Sequence, residues 1–254
     1  MRAIILAAGE GKRLRPYTKN LPKSLVKIGD FTMLEYQLDL FKKNNIECIV
    51  VAGYLHEKIE KITKNVIINE NYASTNMLYT LFKAEHFFDD DLIISYGDIV
   101  YTEKTLKLLI NDKNKISITI DKNWKKYWSK RYSNPLDDLE TLVKEDNLLI
   151  EIGNKPLNYD KIQGQYMGLI KISKSKLNEV VSIYRECKKS SKIKTKDYKN
   201  AYLTDFIQEL IDRSIKVNTV EIEDPWIEID STDDFKNKET VNRLKEIIRI
   251  NNEN

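Results

Sequence analysis

Close to its start the chain sets small residues and cations together in a way suited to gripping phosphate. Ala7-Ala8-Gly9-Glu10-Gly11 follow the short apolar run Ala3-Ile4-Ile5-Leu6. Small side chains at such a strand end let backbone N–H groups approach an anion closely. Lys12, Arg13 and Arg15 add charge beside the loop, and Pro22 stiffens the turn that presents Lys23 before another apolar run. Gly9 and Gly11 lack the third glycine of a dinucleotide fingerprint, and GxxxxGK[ST] is absent. The glycines alone therefore specify an anion site and nothing narrower.

Two aspartates stand where a sheet could bring them to such a site. Asp98 closes Ile93-Ile94-Ser95-Tyr96-Gly97-Asp98, directly after an apolar strand, which places it at the carboxyl edge where open α/β sheets bind ligands. Asp230 ends Trp226-Ile227-Glu228-Ile229-Asp230. Each also has a plainer reading, Asp98 as a turn or cap residue and Asp230 as the cap of a final helix through Asp230-Ser231-Thr232. His56 and His86 lie in amphipathic stretches without a neighbouring nucleophile pattern, so they read as helix-surface residues. Cys48 and Cys187 are far apart with no metal-ligand spacing, so neither a disulfide framework nor structural zinc is indicated, and they read as free thiols.

The elements that must position these residues alternate. Apolar runs at Ala3-Ile4-Ile5-Leu6, Cys48-Ile49-Val50-Val51 and Leu92-Ile93-Ile94 are separated by amphipathic segments at 32–44 and 74–84, which predicts βαβ units. Thr32 with Glu35 fits a capping box, and Leu34, Leu38 and Phe41 recur on one helical face. Ser74 or Thr75 is expected to cap the next helix, with Leu78, Leu81 and Phe82 inward. Further helices are expected over 174–187, 203–212 and 233–249, with extended segments at Leu148-Leu149-Ile150, 166–172 and 226–229. The lysine-rich KKSSKIKTKDYK is expected to be a solvated loop.

These patterns predict an α/β fold with a Rossmann-like mixed, mostly parallel sheet flanked by helices and a covering lobe after the central strand. The 254 residues suit a single domain, with a core over about 1–121 and 203–254 and an acceptor-side lobe over about 122–202. Lysine and arginine total 42 against 39 acidic residues, a net +3 too near balance to imply nucleic acid or a bilayer as partner. The opening MRAIILAAG has no signal-peptide h-region, and no later stretch reaches the roughly 18 apolar residues of a membrane span. The expected location is the cytoplasm. A homodimer is left open.

Taken with its continuation Thr18-Lys19-Asn20-Leu21-Pro22-Lys23-Ser24-Leu25-Val26, the loop reads GxGxRLRPYTxxxPKxLVxI. This resembles the signature of the nucleotidyltransferase family that makes nucleotide sugars and CDP-alcohols. The resemblance implies in-line attack of a phosphate or phosphonate oxygen on the α-phosphorus of a nucleoside triphosphate, expelling pyrophosphate. Such a nucleophile is already anionic near neutral pH, so no dedicated general base is required, in keeping with the scarcity of histidine. The resemblance further implies that Asp98 and Asp230 hold Mg²⁺, which needs only one or two carboxylates beside waters and phosphates. It places Arg13 over the β- and γ-phosphates and Lys23 on the α-phosphate and attacking oxygen. Nucleotide contacts are implied for Leu6, Ala7, Ala8, Gly9, Glu10 and Gly11 in the loop. Gly53, Tyr54, Asn71, Ser74, Thr75 and Asn76 are implied to contact base and ribose.

Among family branches the chain resembles the bacterial phosphocholine and 2-aminoethylphosphonate cytidylyltransferases and a phosphoglutamine relative, so CTP is the implied donor. The stretch from Asp121 to Glu140 and Gln163-Gly164-Gln165-Tyr166-Met167-Gly168-Leu169 look more like the aminoethylphosphonate and phosphoglutamine branches. Trp124, Trp128 and Arg131 are four and then three apart, so on a helix they share a face that could pack over a small zwitterion, the aromatics on an ammonium and the guanidinium on an anion. These three, with Gln165 and Tyr166, are the expected acceptor contacts. The bland alternative is that the tryptophans only anchor the lobe. The implied product feeds cell-surface glycan or lipid decoration. Two other readings stand beside this one: a sugar-1-phosphate nucleotidylyltransferase using dTTP or UTP, and a non-catalytic nucleotide sensor.

Overall fold

The computed structural model describes residues 1–253, so the last residue of the expected core, Asn254, lies outside the described residues. Among these, nine strands form one sheet in the order Val66–Ile68, Glu47–Ala52, Arg2–Ala7, Leu92–Tyr96, Gln165–Ile172, Ile116–Asp121, Asn218–Ile222, Leu148–Ile152 and Leu142–Glu145. Relative to the first strand of the chain, only Gln165–Ile172 and Leu148–Ile152 run in reverse. The sheet is therefore mixed and mostly parallel, as its alternating elements predict.

Both faces of the sheet are covered, which is why its strands read as unbroken apolar runs. Ala3, Ile5 and Ala7 point into one core, shared with Met33, Leu34, Phe41, Trp128 and Trp226. Ile4 points into the other, shared with Leu78, Leu81, Val180, Phe206 and Leu210. Helices Met33–Lys43, Glu103–Asn111, Trp124–Arg131 and Lys238–Glu253 contribute to the first core, and Met77–Phe82, Lys174–Ser190 and Leu203–Asp212 to the second.

The capping box is present: Thr32 Oγ1 accepts from Glu35 N at 3.1 Å, and Glu35 Oε2 accepts from Thr32 N at 2.9 Å. Other expected boundaries move. Asn76, rather than Ser74 or Thr75, caps Met77–Phe82, because Tyr72–Ser74 already form a 3₁₀ turn. The final helix divides at Asn237, which adopts an extended conformation between Thr232–Lys236 and Lys238–Glu253. The lysine-rich segment is not wholly a solvated loop: helix runs to Ser190, Lys192–Ile193 pairs with Lys196–Asp197, and Ile193 is fully buried. One isoleucine among lysines was enough to pin it to the core.

The expected division at residues 122 and 202 does not follow the sheet. Gln165–Ile172, from the middle of that segment, lies between Leu92–Tyr96 and Ile116–Asp121, and Leu142–Glu145 and Leu148–Ile152 extend the same sheet at one edge. Antiparallel insertion leaves no local mark, because a strand buried on both faces has the same apolar pattern in either direction. No helix among the described residues is long and apolar enough to cross a membrane.

Candidate active site

The site is built where Arg2–Ala7 and Leu92–Tyr96 end side by side, a carboxyl edge of the parallel strands. Gly11 adopts φ 60°, a left-handed conformation that glycine takes readily, and an added Cβ there would meet Lys23 Cβ at 2.9 Å. Thr18 Oγ1 donates to Gly11 O at 2.7 Å, so the loop and the Pro22–Lys23 turn close on one another. Behind the loop, Tyr54 N donates to Ala8 O at 3.0 Å. Gly97 N similarly donates to Leu6 O at 3.0 Å, and a side chain at Gly97 would strike that oxygen at 2.7 Å.

Asp98 is held by a buried glutamine. Gln37 Nε2 donates to Tyr96 O and to Ile99 O, each at 2.8 Å, bracketing the Gly97-Asp98 turn. Ile99–Tyr101 then pairs antiparallel with Trp226–Glu228, and Ile229 N donates to Asp98 O at 3.0 Å. This ribbon, outside the main sheet, brings Asp230 to Asp98 from the far end of the chain. Ser231 and Asp234 form a capping box at the next helix, and Asp234 Oδ2 also accepts from Asp230 N at 3.2 Å.

Lys23 Nζ lies between the two carboxylates, 2.6 Å from Asp98 Oδ2 and 2.5 Å from Asp230 Oδ1. Arg13 pairs with the other oxygen of Asp230. Burial alone would lower the Lys23 pKa, but Asp98 and Asp230 outweigh it and hold the ammonium above the usual lysine range. Burial would likewise raise Asp230, yet Lys23 and then Arg13 keep its carboxyl below the usual range. Glu228 nearby goes the other way: burial raises it, Arg131 opposes the rise, and Asp98 reinforces it. Asp98 Oδ1 is buried without a protein partner. A hard oxygen-seeking cation fits that free lone pair and the pair of aspartates.

These groups lie along a cleft of about 410 Å³. Of the residues expected at the nucleotide, Leu6, Ala7, Ala8, Gly9, Glu10, Gly11, Thr75 and Asn76 line it, together with Arg13, Lys23, Asp98 and Asp230. Gly53, Tyr54, Asn71 and Ser74 do not. Gly53 supports the loop from behind, where a Cβ would meet Ala8 O at 2.8 Å and Tyr72 Cβ at 2.6 Å. Asn71 organises the turn after it, accepting from Thr75 Oγ1 at 2.9 Å and Ser74 Oγ at 3.3 Å through its carbonyl.

The expected acceptor face is corrected by burial. Trp124, Trp128 and Arg131 do share one side of a helix, but it faces the core: Trp128 and the Arg131 side chain are 0 % exposed and Trp124 is 5 % exposed. Arg131 is committed to Asp234 at 2.8 Å and Glu228 at 3.3 Å and lies over the rings of Tyr127, Trp128 and Tyr132. None of the three lines the cleft. Tyr166 and Gln165 also stand outside it. Tyr166 packs edge-on against Tyr96, ring centroids 5.8 Å apart, and Tyr96 is the ring that lines the cleft.

Sequence reasoning did not single out Ser24, Tyr72, Ala73, Met77, Thr80, Tyr96 and Gly97 as cleft residues. All but Thr80 and Tyr96 directly adjoin expected site residues, and Tyr96 is two residues before Asp98, so these could have been included on proximity. Thr80 reaches the cleft only through the placement of its helix, for which no local signal exists.

The model of the nucleotidyl transferase family matches residues 2–127. Over 248 residues the chain is 40% identical to the CTP:phosphoglutamine cytidylyltransferase of Campylobacter jejuni, a match covering 93% of this chain and 98% of that one. It is 36% identical over 106 residues to the choline-phosphate cytidylyltransferase of Streptococcus pneumoniae, covering 40% of this chain and 46% of that one. A solved CTP:phosphocholine cytidylyltransferase from Streptococcus pneumoniae superposes with a TM-score of 0.73 over 97% of this chain and 98% of that chain, at 22% identity, a likeness of fold.

Proposed function

The chain belongs to the nucleotidyl transferase family, and we propose that within it this protein is a cytidylyltransferase moving CMP from CTP to a small zwitterion that bears a phosphate or phosphonate. The observation that carries the reaction class is Lys23 Nζ between Asp98 and Asp230 beneath the glycine loop, where opposite charges converge on a cleft able to take a triphosphate. The acceptor reading leans on the relative matched end to end. The sequence pattern favours 2-aminoethylphosphonate, whereas the full-length likeness to a phosphoglutamine enzyme makes phosphoglutamine the first acceptor to try, with phosphocholine next.

In this reading an oxygen of the acceptor phosphate forms a bond to the α-phosphorus of CTP while the bond to the β-phosphate breaks. The electron pair leaves with pyrophosphate. No side chain has to accept a proton, so the protein contributes positioning and charge neutralisation. Arg13 neutralises the departing pyrophosphate, and Lys23 the α-phosphoryl oxygens and attacking group. Asp98 and Asp230 would hold Mg²⁺, which supplies a positive charge against the developing charge on the phosphoryl oxygens. Thr75 and Asn76, at the start of the Met77–Phe82 helix, lie in the cleft where side-chain polar groups can read the base. Glycan or lipid decoration is the use proposed for the CDP-linked product.

The test is pyrophosphate release with Mg²⁺, each of CTP, UTP, dTTP, ATP and GTP being paired with phosphoglutamine, phosphocholine, 2-aminoethylphosphonate and glucose-1-phosphate. Turnover with CTP and a zwitterionic acceptor is expected. Preference for dTTP or UTP with glucose-1-phosphate overturns it, and so does tight CTP binding with no turnover on any acceptor, the behaviour of a sensor.

A further inference from the structure

Two buried polar atoms in the cleft lack a protein partner: Asp98 Oδ1 and Ser24 Oγ. The first is an acceptor and is accounted for by a cation. The second is a hydroxyl, which can donate. Ser24 is only 3 % exposed and directly follows Lys23 in the 3₁₀ turn Lys23–Leu25. That turn is closed by its backbone alone, Leu25 N donating to Pro22 O at 2.9 Å and Val26 N to Lys23 O at 3.0 Å, so the serine hydroxyl contributes nothing to it.

A buried hydroxyl left unpaired costs roughly 1–3 kcal/mol, and alanine would fill the same turn without that cost. For an unpaired donor on a residue that lines the cleft, a ligand bound there is the available partner. The neighbouring charges narrow which part of it. Lys23 and Arg13 lie at this end of the cleft paired with Asp98 and Asp230; were a cation to take the two carboxylates, both side chains would be free for an anion, and an O–H donor beside them matches a phosphoryl oxygen.

We propose that Ser24 is a further substrate-contacting residue, its hydroxyl donating to a non-bridging phosphoryl oxygen of the bound triphosphate beside Lys23. The inference rests on the triphosphate-binding reading above and deepens it: Lys23 supplies charge and Ser24 supplies direction, the two adjacent residues gripping one phosphoryl group. No bond is made or broken by the hydroxyl, which keeps its proton.

The experiment compares wild type with Ser24→Ala and Ser24→Thr by titration with CTP in Mg²⁺, by competition with cytidine as the phosphate-free probe, and by ligand-free melting. Ser24→Ala is expected to weaken CTP binding roughly tenfold, as loss of a hydrogen bond to a charged group does, while cytidine binding stays unchanged and ligand-free melting stays equal or rises. Ser24→Thr, which keeps the hydroxyl, is expected to recover most of the CTP affinity. Unchanged CTP affinity in Ser24→Ala overturns the proposal, as does an equal loss for CTP and cytidine or a lowered ligand-free melt, each of which marks a merely structural serine. Wild type that binds CTP but releases no pyrophosphate sinks the enzymatic reading and leaves the Ser24 contact standing. If wild type binds no CTP, both fall.

Discussion

Arg131 Nε donates to Asp234 Oδ1 at 2.8 Å, and both side chains are almost wholly buried. The other oxygen of Asp234 receives Asp230 N at 3.2 Å, Ser231 N at 2.9 Å and Ser231 Oγ at 2.9 Å. Arg131 thus sits beneath the backbone that carries Asp230, with Asp234 as the intermediary. Removing it leaves the buried Asp234 and the half-buried Glu228 without their cation, a loss of roughly 3–5 kcal/mol. Arg131→Leu is therefore expected to lower the denaturation midpoint sharply. A selective rise in acceptor KM at unchanged stability would instead restore Arg131 to the acceptor site.

Lys23→Ala and Asp98→Asn are each expected to lose at least about two powers of ten in kcat, the size of effect seen when a preorganised electrostatic contact is removed. Near-normal turnover in either is incompatible with the proposed roles. Lys23→Ala also leaves Asp98 and Asp230 facing each other without the ammonium that now separates them. Its melting temperature should fall in metal-free buffer and recover in part when Mg²⁺ is added, which differential scanning in the two buffers would show.

Chelation offers a separate check on the wild type. EDTA is expected to abolish pyrophosphate release, because neither aspartate can engage phosphate without a cation. It should scarcely change the melt, since Lys23 and Arg13 together already balance both carboxylates in the protein alone. A large drop in melting temperature on chelation contradicts this division of labour.

Trp128 packs against Trp226 with ring centroids 5.7 Å apart, and its Nε1 donates to Asp138 at 3.1 Å. Trp128→Ala is expected to cost about 3–5 kcal/mol, as for other large-to-small changes in a core. Discrimination among phosphoglutamine, phosphocholine and 2-aminoethylphosphonate should be unchanged in whatever fraction stays folded. A changed ranking of acceptors, measured by relative kcat/KM, contradicts the core placement.

Gly53→Ala tests the support behind the loop. Its Cβ would meet the backbone oxygen of Ala8 at 2.8 Å, an atom that cannot swing aside. Displacing the loop by a fraction of an ångström is expected to raise the KM for CTP by roughly tenfold, since small misplacements at a phosphate grip are costly. An unaltered KM would mean that the loop tolerates the shift.

What the sequence determined by itself was local and periodic. Strand and helix alternation, the Thr32 capping box, the glycine loop with Lys23, and Asp98 at a strand end were legible because each depends on residues near one another in the chain. The neighbourhood of Asp98 and Asp230 followed only from resemblance; physically it depends on the pairing of Ile99–Tyr101 with Trp226–Glu228, which no local pattern announces. The antiparallel insertion of Gln165–Ile172 was equally silent, since burial on both faces erases direction from the pattern. Helical spacing correctly put Trp124, Trp128 and Arg131 on one face, but spacing says nothing of what a face meets. Only the tertiary structure decided that it meets the core, because a guanidinium reads as a solvent-facing or ligand-facing group until Asp234 and Glu228 are found beside it.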